Sequence, residues 1–180
     1  TTPTPQTIKP EQYMQMQNMI GNVNVFISKY SMDQWGITYN TKVINHGLDT
    51  EVFQNNQLEK KPHVLTVAND FINRDYCLNF SGWQRVTANL NTRVVGDTKG
   101  LSEPASSTED LVREYNECSV YFNSSTLSPI PMSLLEAMSC GCAVVSTATC
   151  MIPEVIEHGV NGFISNDEDD LRNYIDKLLN

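Results

Sequence analysis

The chain has 180 residues, of which 40% are hydrophobic and 18% are charged, as in an ordinary globular domain. Its 21 acidic residues outnumber its 12 lysines and arginines, so its formal net charge is −9. This charge argues against a general binder of nucleic acid or of anionic membranes, because both of these partners are polyanions. No apolar run approaches the length of a membrane-spanning helix, and the start shows no secretory signal pattern.

The first part of the chain, residues 1–61, carries short elements separated by polar residues. It begins with TTPTPQT and not with methionine, so we expect a processed chain or a fragment, with a polar tail or linker over residues 1–9. Hydrophobic spacing predicts two helices and two strands, and Ser31 is the expected cap of the second helix. The predicted elements are a helix over 11–20, a strand over 23–28, a helix over 31–35 and a strand over 42–45.

The remaining residues, 62–180, alternate between strand patterns and helix patterns. This alternation predicts an α/β fold in which a Rossmann-like parallel sheet is covered by helices on both faces. Ser107 and Asn166 are the expected caps of two of the helices. The predicted strands cover 63–70, 92–96, 119–123, 143–146 and 162–164, and the predicted helices cover 75–90, 108–118, 132–140, 152–158 and 167–179.

The most informative stretch is residues 124–141, SSTLSPIPMSLLEAMSCG, which the apolar run AVVS follows. Pro129 and Pro131 lack an N–H group and have a fixed φ, so the residues around them are predicted to form a loop. From Met132 onward the apolar residues recur at helical spacing, and Gly141 ends the predicted helix. A polar loop that leads into a helix between two strands is a place where α/β proteins hold anions.

The five cysteines indicate a reducing environment. Their number is odd, their surroundings are largely apolar, and no C-x-x-C pair occurs. We expect small buried side chains and neither a disulfide nor a metal site, and the three histidines lack the spacing of metal ligands. The sequence therefore predicts a cytoplasmic protein without a bound metal. The cysteines are Cys77, Cys118, Cys140, Cys142 and Cys150.

Three segments carry a resemblance to a known family. LLEAMSCGCAVVST at 134–147 and IPEVIEHGVNGFIS at 152–165 resemble the carboxy-terminal, donor-binding half of GT-B glycosyltransferases, most closely retaining family 4. KVINHGLDTEVF at 42–53 is similar to the phrase that joins the two GT-B domains. The resemblance implies that residues 1–61 hold a tail, a remnant of the acceptor-side domain and the interdomain linker. Residues 62–180 would then form the domain that binds the nucleotide-sugar donor.

The family carries two glutamates separated by seven residues. Glu136 stands at the second of these positions, and Ser128 stands at the first. The resemblance implies that Glu136 fixes the nucleoside, because one carboxylate can accept hydrogen bonds from two neighbouring ribose hydroxyls. The alternative is an ordinary exposed glutamate on a helix. Ser128 takes the position of a catalytic residue but lacks its charge.

The family holds the donor diphosphate with an arginine and a lysine after the first strand of this domain. Arg74 falls on the lysine position and keeps a positive charge, whereas Asn69 falls on the arginine position and loses it. The alternative for Arg74 is a solvated surface arginine, and the alternative for Asn69 is a turn residue after a strand. Met132, Ser133 and Leu134, at the start of the following helix, are the further candidates for donor binding. The Ser133 hydroxyl would either donate to the ligand or cap the helix.

The resemblance implies a glycosyltransferase that moves a sugar from a nucleotide-diphosphate sugar (UDP- or GDP-linked) to an acceptor, with retention and without a metal or a permanently bound cofactor. A sugar, lipid or protein acceptor would bind through an amino-terminal domain that this chain lacks, so little or no transfer is expected from the chain alone. Peripheral membrane association of the full-length protein is left open. The alternatives are a non-catalytic sugar-nucleotide-binding or interaction domain, which Ser128 and Asn69 favour, and an unrelated doubly wound domain.

Overall fold

The computed structural model describes residues 11, 15, 21–128 and 130–180. It divides the chain into two compact units, Thr1–Gly47 and Leu48–Asn180. Most of the predicted helix over 11–20, and also Pro129, lie outside the described residues.

The first unit contains a small parallel sheet. Strands β1 (Asn24–Phe26) and β2 (Thr41–Val43) pair in parallel, and helix α1 (Lys29–Trp35) lies between them in the sequence. The predicted cap of this helix, Ser31, is wrong. Ser28 has the extended backbone that a helix cap requires, with φ −161°, and its side chain accepts a hydrogen bond from the Ser31 amide.

The second unit is built on a five-stranded parallel sheet with the strand order β4-β3-β5-β6-β7. This confirms the predicted α/β class and the Rossmann-like parallel sheet. The strands are β3 (Lys61–Val67), β4 (Thr92–Val95), β5 (Cys118–Asn123), β6 (Ala143–Ser146) and β7 (Phe163–Ile164), and the helices are α2 (Asp75–Leu78), α3 (Phe80–Val86), α4 (Thr108–Glu117), α5 (Met132–Ser139), α6 (Ile152–Val155) and α7 (Glu168–Leu179).

The sheet has an apolar core on each face. Leu65 and Tyr121 belong to one buried cluster, while their chain neighbours Val64 and Phe122 belong to the other. Successive side chains of a strand point to opposite faces, so both faces of the central strands are covered. Helices α4 and α5 pack on the first face, and α3 and α7 pack on the second.

The single helix predicted over 75–90 is wrong, because Asn79 interrupts it. Asn79 adopts the left-handed conformation (φ 54°), which ends α2, and its side chain then accepts a hydrogen bond from the Gly82 amide at the start of α3. Asparagine tolerates this conformation better than most residues and bonds readily to nearby backbone. Trp83 and Val86 of α3 are buried against the sheet.

The ends of two other helices also differ from expectation. Asp167 and not Asn166 caps α7, since its carboxylate accepts hydrogen bonds from the two amides of the first turn. Asn166 instead bonds the Ala148 backbone. Helix α6 ends at Val155, where the chain becomes extended, and so is shorter than the predicted 152–158. The expected cap Ser107 is confirmed, with its Oγ 3.2 Å from the Asp110 amide.

Four of the five cysteines are buried and Cys150 is half-buried. Cys118 and Cys142 lie with their sulfur atoms 3.5 Å apart, and both contact the Tyr115 carbonyl oxygen. Within the described ranges, no three histidine, cysteine or acidic side chains are grouped closely enough to hold a metal ion. Among the helices of the described part, none has both the length and the apolar character needed to cross a bilayer.

Candidate functional site

A cleft of about 280 Å³ opens at the carboxyl ends of β3 and β5. The chain leaves β3 toward β4 on one side and later places β5 on the other side, so this is the switch point at which open α/β sheets hold their ligands. The lining residues come from the ends of these strands, from the loops that follow them and from α5. They are Thr66, Val67, Ala68, Asn69, Phe71, Arg74, Leu78, Asn123, Ser124, Ser125, Ser128, Pro131, Ser133 and Glu136.

The loop after β3 is tied to the loop after β4. The Asn69 side-chain oxygen accepts a hydrogen bond from the Asp97 amide at 3.2 Å, and the Asp97 carboxylate accepts one from the Asp70 amide at 2.8 Å. Gly96 makes this approach possible, because a Cβ atom on it would lie 1.9 Å from the Ala68 carbonyl oxygen. Asn69 therefore lines the cleft while its oxygen supports the loop, as a turn residue does.

Arg74 stands apart from the other arginines. Four of the five form ion pairs with carboxylates: Arg85 with Glu168, Arg93 with Glu114, Arg113 with Asp110 and Arg172 with Asp176, at 2.6 to 2.9 Å. Arg74 is half-buried at the cleft, and its guanidinium forms no ion pair or hydrogen bond with the described residues. Its backbone is fixed by hydrogen bonds to Asp70 and Leu78. The cleft thus holds a guanidinium that has no ion-pair partner among the described residues.

The loop after β5 is anchored to its neighbours from both sides. The Ser124 hydroxyl donates to the Leu78 carbonyl at 2.7 Å, and the Thr126 amide donates to the Cys77 carbonyl at 2.9 Å. Two threonine hydroxyls, those of Thr147 and Thr149, donate to the Ser125 carbonyl. This bonding holds the loop at the cleft wall, where Ser128 is half-buried.

Helix α5 presents two polar side chains to the cleft. Ser133 and Glu136 are three residues apart and therefore lie on the same face of the helix. Leu134, in contrast, is fully buried in the core, and its amide donates to the Pro131 carbonyl at 3.0 Å. Met132 is half-buried, and its side chain does not line the cleft.

Of the predicted site residues, the structure brings five together in one cleft. These are Asn69, Arg74, Ser128, Ser133 and Glu136. It does not bring the side chains of Met132 and Leu134 there, because the apolar face of α5 packs into the core. The Glu136 carboxylate and the Arg74 guanidinium lie at the same cleft, which is lined by residues from the ends of β3 and β5, the loops after them and helix α5.

Two tyrosines that the sequence did not single out hold the polar side chains of α5 from behind. The Tyr115 hydroxyl donates to Glu136 Oε2 at 2.7 Å, and the Tyr121 hydroxyl donates to Ser133 Oγ at 2.8 Å. Burial raises the pKa of both tyrosine hydroxyls above its ordinary value, so both stay protonated and act as donors. The sequence offered one signal for these contacts. Tyr115 and Tyr121 stand at core-facing positions of α4 and β5, and a buried tyrosine hydroxyl needs a hydrogen-bond partner.

Residues 104–180 match the family model of glycosyl transferases group 1. This match covers the segments at 134–147 and 152–165 and confirms their resemblance to glycosyltransferases. No curated protein sequence matches the chain.

Solved glycosyltransferase-type structures share the fold over nearly the whole chain. Sucrose-phosphate synthase of Thermosynechococcus elongatus superposes with a TM-score of 0.79 at 16% identity, covering 98% of this chain and 54% of that one. HepE of Anabaena, in complex with UDP, gives 0.74 at 18% identity, covering 97% and 59%. TarM gives 0.73 at 12% identity, covering 100% and 41%. The chain therefore spans about half the length of these structures, and its fold matches one half of a GT-B structure.

Proposed function

We propose that this chain is the donor-binding half of a glycosyltransferase that takes a sugar from a nucleotide-diphosphate sugar, with retention and without a metal ion. The match to glycosyl transferases group 1 and the shared GT-B fold support sugar transfer. Structures of HepE with UDP and with UDP-glucose support a nucleotide-sugar donor. The observation that carries the proposal is that Arg74, which has no ion-pair partner among the described residues, and Glu136 line the same cleft at the switch point.

Arg74 is proposed to bind the diphosphate. A guanidinium offers paired N–H donors that match two phosphate oxygens, and no carboxylate among the described residues competes for it. When the bond to the sugar breaks, negative charge builds on the departing diphosphate and the sugar becomes oxocarbenium-like. A cation that is already in place stabilises this charge more in the transition state than in the bound donor, which is the condition for catalysis.

Glu136 is proposed to bind the ribose. Its carboxylate accepts hydrogen bonds only, so it suits hydroxyl groups and repels phosphate oxygens. The opposite charges of Arg74 and Glu136 would thus orient the donor, with the diphosphate toward the end of β3 and the nucleoside along α5. Ser133 and Ser128 offer hydroxyls to the remaining polar groups, and Ser128 stands where the sugar would lie.

Ser128 limits the activity that we propose for the chain. A serine hydroxyl cannot supply the negative charge of the glutamate that the family carries at this position, so Arg74 would be the main charged group at the reacting centre. The acceptor, whether sugar, lipid or protein, would bind in a cleft completed by a further domain. Little or no transfer is therefore expected from residues 1–180 alone, while donor binding is expected to persist.

Calorimetric titration with UDP, GDP and ADP, and with one sugar derivative of each, tests the proposal. We expect saturable binding of one nucleotide, weakened about tenfold or more by Arg74→Ala and by Glu136→Ala, because each loses a hydrogen bond to a charged group. Arg85→Ala and Glu117→Ala are matched controls, since both residues are ion-paired outside the cleft. Absence of binding to all three nucleotides, or equal losses in the controls, would overturn the proposal.

A further inference from the structure

Two side chains of helix α5 that line the cleft, Ser133 and Glu136, each accept a hydrogen bond from a buried tyrosine. Tyr115 is 0% exposed and Tyr121 is 1% exposed. Their hydroxyls reach α5 from the core side, at Glu136 and Ser133 respectively. Neither hydroxyl faces the cleft, so neither can touch a ligand there. Both act through the residue that they hold.

The geometry leaves Tyr115 little freedom. Its ring packs edge-on against Phe53, with the centroids 6.4 Å apart, and tilted against Tyr121 at 6.0 Å. A side chain packed on all sides keeps one rotamer, so its hydroxyl stays in one place. The 2.7 Å bond then holds one oxygen of Glu136 in that place as well. A glutamate on a helix surface would otherwise lose rotamer freedom when it binds a ligand, and the hydrogen bond from Tyr115 already restricts this freedom.

We propose that Tyr115 is a positioning residue that holds Glu136 Oε2, so that the carboxylate meets the ribose hydroxyls and selects ribonucleotides over 2′-deoxyribonucleotides. The inference rests on the proposed function, because it takes the ligand to be a nucleoside diphosphate. The tyrosine consumes one acceptor position and leaves Oε1 and the remaining lone pairs to the ligand. A donor on the core side also keeps the carboxylate from turning away from the cleft.

Tyr121 supplies the contrast within the same helix. Its hydroxyl donates to Ser133 Oγ at 2.8 Å, so the serine proton points elsewhere and can be donated to a ligand oxygen. A hydroxyl that donates suits a phosphate oxygen and has no bearing on the ribose 2′-hydroxyl. Loss of the Tyr121 hydroxyl is therefore expected to leave the choice between ribose and deoxyribose unchanged.

The test compares Tyr115→Phe with Tyr121→Phe. Each variant removes one hydroxyl from a buried ring and keeps the ring that fills the core. The Kd values of UDP, 2′-deoxy-UDP, GDP and 2′-deoxy-GDP are measured for both variants, for the wild-type chain and for Glu136→Gln. In the wild type we expect about a tenfold preference for the ribonucleotide, which is the value of one hydrogen bond to a charged group. We expect this preference to fall to about threefold or less in Tyr115→Phe and in Glu136→Gln, and to stay near tenfold in Tyr121→Phe.

The outcomes separate this inference from the proposed function. A ratio that is unchanged in Tyr115→Phe overturns the inference while nucleotide binding stands, and so does a ratio that falls equally in both tyrosine variants. A wild-type chain that binds without preferring ribose also overturns it. If the wild type binds neither UDP nor GDP, the proposed function fails, and the inference fails with it. Should Tyr115→Phe be unfolded by circular dichroism, an unchanged ratio in Glu136→Gln overturns the inference on its own.

Discussion

The two edges of the five-stranded sheet treat charge in opposite ways. At the amino edge, where the strands begin, the cations are paired: Lys61 with Glu117 at 2.5 Å and Arg93 with Glu114 at 2.8 Å. At the carboxyl edge, Arg74 has no carboxylate partner in the described part of the chain. Paired charges on a surface are ordinary structure. An unpaired guanidinium in a cleft at the switch point is what a phosphate site requires.

Polar side chains at the carboxyl edge also fix the backbone around the cleft. At the carboxyl edge, serine, threonine and asparagine side chains bond backbone groups of neighbouring loops, as Ser124 and Thr149 do. They fix the shape of the cleft wall. Rigid walls around unsatisfied charge indicate a site that is formed before its ligand arrives. Three changes, taken from the largest expected effect to the smallest, would break or sharpen this comparison of the edges.

The largest effect is expected from Gly96→Ala at the carboxyl edge. The new Cβ would overlap the Ala68 carbonyl oxygen, and the backbone sits at φ +146°, which L-residues rarely adopt. We expect a loss of about 3 kcal/mol or more in the free energy of unfolding, measured by urea denaturation, because the ends of β3 and β4 must separate. Nucleotide binding should also weaken, because Asn69 and Arg74 lie in the loop that begins after Ala68 and line the cleft.

Gly100→Ala is the matched control for this change. Gly100 also has a positive φ, +80°, but a Cβ atom added to it would meet no other atom within 4 Å. Its substitution carries only the conformational cost, about 1 kcal/mol. Equal losses in the two variants would show that close approach of the strand ends does not matter at Gly96, and that the carboxyl edge is less tightly built than the distances indicate.

How far the sequence could predict this architecture depends on which interactions decide each part. The strand AVVS at 143–146 has the predicted bounds, because β-branched residues in an apolar run leave little choice. Alternation of elements predicted the parallel sheet. The helix break at Asn79 and the choice of Ser28 over Ser31 as a cap depended on backbone dihedrals that nearby polar residues can adopt equally well.

The site was predictable in part for a similar reason. That Arg74 and Glu136 line one cleft could be predicted, because both occupy motif positions in the family resemblance. Tyr115 was missed, because its contact with Glu136 joins residues 21 positions apart and is set by how α4 and α5 pack. Leu134 was included because helix starts bind anions, but its side chain faces the core and its amide is already bonded. Spacing along the chain predicts which residues share a helix face, whereas packing decides which face is exposed to solvent.

A second, intermediate effect distinguishes Arg74→Ala from Arg93→Ala. Without ligand, loss of the partly exposed Arg93–Glu114 pair is expected to lower the free energy of unfolding by up to about 1 kcal/mol, whereas Arg74→Ala should change it by less than about 0.5 kcal/mol. With a nucleotide at about 100 times its Kd, the wild type and Arg93→Ala should gain about 2.7 kcal/mol. Arg74→Ala should gain much less at the same concentration.

Thermal or urea unfolding with and without nucleotide measures both quantities on the same samples. A large destabilisation of the unliganded chain by Arg74→Ala would show that this arginine is a structural partner like the others. If Arg93→Ala lost the ligand-dependent gain, the separation of a structural edge from a binding edge would fail. Either result would move the proposed diphosphate site away from the end of β3.

The smallest effect is expected at the amino edge, from His63. It lies near the start of β3, and its Nε2 is buried without a hydrogen-bond partner in the described part of the chain. Burial is the main cause that lowers the pKa of His63 below its ordinary value of 6.5; Lys61 and Arg93 also lower it, while Glu114 and Glu117 oppose them. A histidine whose folded pKa is depressed favours folding while it is neutral. Its stability is therefore fully present above about pH 6.5 and is lost as the pH falls below that value.

His63→Gln provides the comparison, because glutamine does not titrate. The free energy of unfolding of the wild type, minus that of His63→Gln, should become less favourable to the wild type between pH 7.5 and pH 5.5, with urea denaturation as the measurement. The exposed carboxylates with lowered pKa values, such as Asp75 and Glu109, titrate below this window and contribute equally to both chains. If the difference in the free energy of unfolding stays constant with pH, His63 has the same pKa in the folded and unfolded chains, and burial does not disfavour its charged form. A difference that moves in favour of the wild type would mean that Glu114 and Glu117 outweigh burial, and that the paired edge also carries unsatisfied negative charge.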